Sequence, residues 1–575
     1  MKRYWKYIRP YIQYYILGPC FMMMEVVGDV LLPYMLAKII NQGIAEKNVA
    51  YIIKIGAIMG FIAVIMAVGG VLGAWFASKA AMNFGADLRM DLFEKIQQFS
   101  FQNIDNFSTG SLITRLTNDI TQIQNMIMMT LRMCLRSPGI LIGAMVMAFV
   151  ISPKLAAIFI IVLPVLAVLI VVIMRRAFPQ FRTLQEKLDA LNSCIQEGLV
   201  GIRLIKSFVR GDYEEMRFEK RNQQLKEANL TAMKTMLLYT PLMTLALNIT
   251  TVVVVWSGGN MIVAGNMQVG DLTAFTNYIV QIMSSLTMLS IAFLNWARAI
   301  ASFRRVGEVL DEKIDLTDEN AKHKDRAVCE GSVEFQNVSF RYYKNSPEWV
   351  IENISFKLEA GKTLGIIGST GSGKSTLVSM IPRLYDTDEG TVLVDGINVR
   401  DYGLKPLREG IGMVLQNNTL FSGSITENLK WGDEHADEKA VRTAAQNAQA
   451  AGFIDSFKDG YRTRLEQSGN NVSGGQKQRL CIARALLKCP KILILDDSTS
   501  AVDTATERAI REALHSEYKD MTKIIIAQRI RSVMDADEIL VLDNGKTAGF
   551  GTHEQLLADC PVYREIYDVQ NGREE

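Results

Sequence analysis

At 575 residues the chain is longer than one hydrophobic core supports, so at least two domains are expected. Hydrophobic residues make up 49% and charged residues 21%, and a formal charge of +2 argues against a nucleic-acid partner. Seven scattered cysteines, none in a C-x-x-C pair, argue against a disulfide framework and a zinc site.

The chain opens with Lys2, Arg3, Lys6 and Arg9 before an apolar run that superficially resembles a signal peptide. That run is too long, holds Glu25 and Asp29, and lacks a small-residue cleavage site, which predicts a retained first helix. Six segments reach the roughly 20 apolar residues that span a bilayer: 14–38, 52–78, 127–151, 155–174, 236–263 and 272–295. Twenty-four of the 28 methionines precede residue 300, which suits lipid-facing filler in this half. Short links near Ala45, Pro153 and Gly265 alternate with long polar stretches at 79–125 and 175–235.

Lys and Arg concentrate at the N-terminus and in both long stretches, which places these and both termini on the cytoplasmic side of the cytoplasmic membrane. Apolar residues at Leu184, Leu188, Leu191 and Ile195 keep helical spacing, so each long stretch reads as a helical hairpin whose tip meets another domain. Glu25 and Asp29 share one face of the first helix at i, i+4. Carboxylates within a span are costly, and two roles fit equally: attracting cationic cargo in a substrate cavity, or pairing with arginines such as Arg132 or Arg136.

From about Val328 short β-rich runs, Val333 to Phe340 and Thr363 to Ile367, alternate with amphipathic helices. The pattern predicts an α/β domain on a largely parallel sheet. The boundaries are a membrane domain over 1–310, a charged linker over 311–327 and this α/β domain over 328–575.

Gly368-Ser-Thr-Gly-Ser-Gly-Lys374-Ser375 follows the run Leu364-Gly-Ile-Ile and opens an apolar helix. In such a P-loop the glycines let the backbone wrap phosphates, Lys374 neutralises β and γ oxygens, and Ser375 ligates magnesium. The nucleotide contacts are thus assigned to Ser369, Thr370, Gly371, Ser372, Gly373, Lys374, Ser375 and Thr376. A second apolar run, Ile492 to Leu495, ends in Asp496, which suits holding magnesium through water. Between them, Val472-Ser473-Gly474-Gly475-Gln476 starts a helix whose amides and hydroxyl are suited to a γ-phosphate.

This Ser-Gly-Gly-Gln run resembles the signature of the ABC transporter family, and the resemblance covers nearly the whole chain. It implies a six-helix all-α transmembrane domain of the exporter type fused to an α/β P-loop nucleotide-binding domain. It also implies two ATP sites at a head-to-tail dimer interface, each joining one subunit's P-loop to the other's signature. By the same match Tyr342 stacks on adenine, Gln416 contacts magnesium and the membrane domain, and Ser500 to Asp503 form the D-loop. Thr109 to Asp119 and Gly201 to Phe208 resemble exporter loops that dock on the ATPase domains.

Two positions depart from the family. Asp497 stands where a glutamate serves as general base, and Gln528 stands where the H-loop histidine is expected. Aspartate is one methylene shorter, and an amide has no proton that titrates near neutral pH. Val472 replaces a commoner Leu, and Glu466-Gln467-Ser468-Gly469 replaces Gly-Glu-Arg-Gly. The pattern resembles the degenerate-site subunit of bacterial heterodimeric multidrug exporters, which implies a homologous half-transporter supplying the catalytic Glu and His. ATP, Mg2+, a lipid bilayer and a small amphipathic substrate complete the expectation. The alternatives are a lipid flippase, a peptide exporter, an ATP-gated channel or a slow homodimer.

Overall fold

Helices satisfy every backbone N–H and C=O internally, which is why long apolar segments fold as helices. The structure, a computed structural model, describes residues 2–344, 346–498 and 502–571. Among them five stretches are long and apolar enough to cross a membrane: Trp5–Ile44, Val49–Gln97, Thr109–Ile151, Pro153–Val200 and Gly211–Val263. Each contains one predicted segment. The sixth, 272–295, lies in the helix Val269–Asp311, and part of it reaches side chains outside the described residues.

The helix Val49–Gln97 has 49 residues and Pro153–Val200 has 48. At 1.5 Å per residue each is about 70 Å long, roughly twice the hydrocarbon thickness, so both continue past the bilayer as the periodicity predicts. Small residues set how closely helices approach. A Cβ at Gly73 would lie 3.1 Å from the Gly18 carbonyl on the first helix, and Ala77, Ala80 and Ala81 are fully buried beside it.

Two compact units divide the chain. The helical unit comprises the residues up to Gln97 together with Thr109–Asp311, and the other comprises Gln98–Ser108 and the chain from Glu312 onward. In the second unit Asn103 donates to the Lys313 carbonyl at 2.9 Å, and Tyr385 Oη donates to Asp105 Oδ2 at 3.0 Å. Loop tip Gln98–Ser108 is thereby held by side chains remote in sequence.

Among its described residues the second unit carries twelve strands: β1 Val333–Phe340, β2 Ile351–Leu358, β3 Thr363–Gly368, β4 Glu389–Val394, β5 Ile397–Asn398, β6 Ile411–Val414, β7 Gly423–Ser424, β8 Arg464–Leu465, β9 Ile492–Asp496, β10 Thr522–Ile526, β11 Glu538–Asp543 and β12 Lys546–Gly551. The main sheet has the order β12-β11-β3-β10-β9-β6, parallel except for β12. An antiparallel sheet, β2-β1-β4-β5, lies beside it in sequence and was not foreseen as separate. Strands buried on both faces read as unbroken apolar runs. In β9, Ile492 and Ile494 join one core cluster while Leu493 and Leu495 join the other. The same alternation sends Ile524 and Ile526 of β10 to one side and Ile525 to the opposite side.

Candidate functional site

The ends of β3 and β9 place the chemistry. After β3 the chain turns through Gly371 at φ 87° and Gly373 at φ 90° before the helix Lys374–Ser379. That left-handed backbone favours glycine, and a Cβ at Gly373 would also lie 2.6 Å from Ile351 Cγ2 and 2.9 Å from the Val350 carbonyl. Lys374 folds over this loop, donating to the carbonyls of Gly368 at 2.8 Å and Ser369 at 2.7 Å and to Ser372 Oγ at 3.4 Å. Burial holds its ammonium below the usual lysine range, against the pull of Asp497 and Asp496. A half-buried cation resting on weak carbonyl acceptors is suited to a stronger anionic partner such as a polyphosphate.

Ser375 Oγ donates to Asp496 Oδ1 at 2.9 Å. Burial raises the Asp496 carboxyl above the usual range, offset by that hydrogen bond. A hydroxyl and a carboxylate meeting at the loop mouth form a hard-oxygen pair that fits magnesium. Among the described residues no cluster of three His, Cys, Asp or Glu could hold a metal, so the rest of a magnesium shell would come from water and nucleotide oxygens.

The residue after β9, Asp497, has φ 47°, a left-handed conformation that Asp tolerates better than most residues. Its N–H donates to the Ile526 carbonyl at 3.1 Å, and Gln528 Nε2 donates to its Oδ2 at 2.9 Å. Burial raises the Asp497 carboxyl, while hydrogen bonds from Gln528 and Gln416 and the Lys374 charge act the other way. Two amides therefore hold the shortened carboxylate.

An open cleft of about 320 Å³ gathers these groups. Tyr342, Thr370, Gly371, Gly373, Lys374, Ser375, Thr376, Gln416, Asp496, Asp497 and Gln528 line it. Tyr342 Oη and Thr376 Oγ1 are hydrogen-bonded at 2.9 Å. Ser369 and Ser372 lie outside the lining and instead meet Lys374. Sequence reasoning missed Val350 and Ile526, which also line the cleft, and Tyr385, whose ring centroid is 5.3 Å from that of Tyr342 in a T-shaped arrangement. No spacing rule links Tyr385 to the P-loop.

Ser473, Gly474, Gly475 and Gln476 do not line the cleft. They form the start of the helix Gly474–Leu487, with Ser473 and Gly474 exposed and Gly475 and Gln476 half-buried, and there Ser473 accepts from the Gln476 N–H at 3.3 Å and the Gln476 side chain accepts from the Ser473 N–H at 2.9 Å. This capping box explains the helix start, and it leaves the signature face uncovered. Asp503 caps the helix Thr504–Ser516, accepting from the Thr506 N–H at 3.0 Å. Ser500 and Ala501 of the expected D-loop lie outside the described residues.

In the helical unit, Glu25 and Asp29 share one arginine. Arg136 Nη2 donates to Glu25 Oε1 at 2.8 Å and to Asp29 Oδ2 at 3.5 Å. The Asp29 carbonyl accepts from Gln281 at 2.7 Å.

Comparison with known proteins bears on both units. The ABC transporter transmembrane region matches residues 15–286, and the ABC transporter domain matches residues 351–500. The uncharacterized ABC transporter ATP-binding protein YfiB of Bacillus subtilis is 39% identical over 574 residues, covering 100% of this chain and 99% of the relative. The putative multidrug export ATP-binding/permease protein YgaD of Bacillus subtilis is 33% identical, with 99% of each chain covered. Among solved structures, a bacterial Atm1-family ABC exporter with ATP bound has the same fold, with a TM-score of 0.81 at 24% identity and 98% of each chain covered.

Proposed function

The chain belongs to the ABC transporter family, and from that premise we propose that it is the degenerate-site half of a heterodimeric exporter moving amphipathic, multidrug-type compounds out of the cell. Asp497 in the hold of Gln528, at the centre where a glutamate and a histidine are expected, is the observation that carries this reading. A general base must present its carboxylate to the attacking water within about 3 Å. Here the carboxylate is short and an amide already occupies its Oδ2. The Gln528 amide can donate to a γ-phosphate but cannot exchange a proton near neutral pH.

The cleft binds ATP: Lys374 leaves its own carbonyls for the phosphates, the glycine turn admits them, and Tyr342 offers its ring to the base. Magnesium, held by Ser375, Asp496 and Gln416 with nucleotide oxygens, would neutralise phosphate charge. The exposed signature at Ser473 and Gly474 serves the nucleotide on the partner's P-loop, which is the competent site.

A second surface supports a partner chain. At the second hairpin tip Leu204, Phe208 and Val209 are 62%, 70% and 88% exposed, and Val209 sits at φ 52°, costly for a β-branched residue. The turn that ends the helix Ile202–Ser207, closed by the Arg210 N–H donating to the Ile205 carbonyl at 2.9 Å, sets the φ of Val209, and cover from another subunit would account for the exposed side chains. Likeness to YgaD supports multidrug cargo, and alternating access driven by cytoplasmic ATP-binding domains follows from the family. Steady-state hydrolysis by the purified chain tests the proposal. Turnover well under about one per second is expected, and a rate of ordinary enzymes, at or above about ten per second, would instead establish an active homodimer.

A further inference from the structure

A cavity of about 630 Å³ in the second unit lies apart from the nucleotide cleft, with no lining residue in common. One wall is the helix Thr504–Ser516, with Arg508, Arg511 and His515, and the other is the segment from Arg531 to Ala536. Its floor is β10, through Lys523 and Ile525.

Lys523 is the unusual member. It occupies a strand position on the face of Ile525, where the alternation of β10 calls for an apolar residue, and it is 4% exposed. A buried ammonium ordinarily has a carboxylate within reach. Among the described residues Lys523 has no ion pair or side-chain hydrogen bond; Asp537 and Asp520 influence it only at longer range. Asp537 is engaged elsewhere, accepting from the Thr363 N–H at 2.7 Å.

The surrounding charges point the same way. The two acids lining the cavity are already taken, Glu512 by Arg508 at 2.9 Å and Asp535 by Arg511 at 3.3 Å. Arg511 also donates to the Arg531 carbonyl at 2.6 Å, yet its Nε is buried without an acceptor. The buried Lys523 ammonium thus faces the cavity beside Arg511 while both lining carboxylates are paired with Arg508 and Arg511, with Leu514, Met534 and Ala536 as apolar lining. A concave site of this volume with converging cations and some apolar surface has the form of a small-ligand pocket.

We propose that this cavity binds a small phosphate-bearing anion, with the Lys523 ammonium as its principal donor and the Arg511 guanidinium beside it. Position gives such a ligand a route to the chemistry. Strand β10 carries Lys523 at one end and leads to Gln528 beyond the other, and the wall beginning at Arg531 follows Gln528 by three residues.

The test uses the full chain in detergent with Lys374→Ala, which removes the phosphate hold of the nucleotide cleft. Inorganic pyrophosphate and a soluble short-chain phosphatidate are titrated by calorimetry against this background and against the same chain carrying Lys523→Met or Arg511→Gln. Pyrophosphate binding that each second change weakens about tenfold is the expected result, the scale of losing one charge-assisted contact. The same dependence seen for phosphatidate alone would assign the pocket to a lipid headgroup. Neither probe binding, or binding indifferent to both changes, would overturn the proposal. Lys523→Met keeps the aliphatic stem and removes the lone buried charge, so it is expected to fold with an equal or higher melting temperature.

Discussion

Gln528 Nε2 donates to Asp497 Oδ2 at 2.9 Å, so on the proposed reading, in which these two residues stand in for the family's base and histidine, they are spent on each other. Restoring one alone should therefore do little. With Asp497→Glu only, the longer carboxylate still meets the amide; with Gln528→His only, a short carboxylate remains. The double change should raise hydrolysis by the isolated chain at least about 10²-fold, the lower bound for a positioned general base. Phosphate release by the two single variants and the double variant checks this, and an additive pattern would show that the contact does not matter.

Tyr385 links the loop tip to the nucleotide cleft within the second unit, donating to Asp105 at 3.0 Å while its ring lies 5.9 Å from Phe101 and 5.3 Å from Tyr342. Tyr385→Phe keeps the ring and loses one hydrogen bond, worth about 1 kcal/mol, or a melting shift of about 2–4 °C. ATP affinity should hardly change. Tyr385→Ala also removes the ring that supports Tyr342 and should weaken ATP binding several-fold. Calorimetry and nucleotide titration of both variants separate the two contributions.

The Glu25, Arg136 and Asp29 triad supports the structural role that the sequence left level with cargo attraction. Removing Arg136 alone leaves two carboxylates without their cation. Arg136→Gln should therefore reduce folded protein, and adding Glu25→Gln with Asp29→Asn should recover much of the loss. The coupling in such a cycle is expected at about 1–3 kcal/mol. If the triple variant folds no better than Arg136→Gln, and the double carboxylate variant selectively loses transport of cationic compounds, the carboxylates act on cargo instead.

Legibility followed locality. The glycine turn between β3 and the helix at Lys374, and β9 ending in Asp496, were readable because each motif is contiguous and its strand is an unbroken apolar run buried on both faces. The long hairpins were readable from helical spacing alone. Contacts made by the fold were not. Tyr385 reaches Tyr342 across 43 positions, and nothing in either neighbourhood announces it. Arg132 and Arg136 both sit near the same helix boundary, and only the packing against the first helix selects Arg136. Lys523 lies inside an apolar run, where hydropathy treats a single charge as noise; its lack of a partner appears only when the walls around it are assembled.

The cleft and the signature face lie apart in this chain, since Ser473 to Gln476 contribute nothing to the lining around Lys374. In the proposed head-to-tail heterodimer they serve different ATP molecules, and on that reading the productive site is the one this chain's signature completes. Lys374→Ala damages the cleft that already carries Asp497 and Gln528, and it should mainly weaken ATP occupancy and dimer closure, leaving partial activity. Changing Ser473→Ala or Gly474→Asp instead removes a γ-phosphate contact from the partner's nucleotide. Loss of a donor made in the transition state typically costs about 10² to 10³ in rate, and only the signature change imposes that on the productive site. The helix behind it should survive Ser473→Ala with a capping loss of about 1 kcal/mol, so reduced hydrolysis would not reflect unfolding. Steady-state hydrolysis by each variant paired with the wild-type homologous half decides the assignment. A dead Lys374 variant beside a near-normal signature variant would mean that this chain's own P-loop is the productive one.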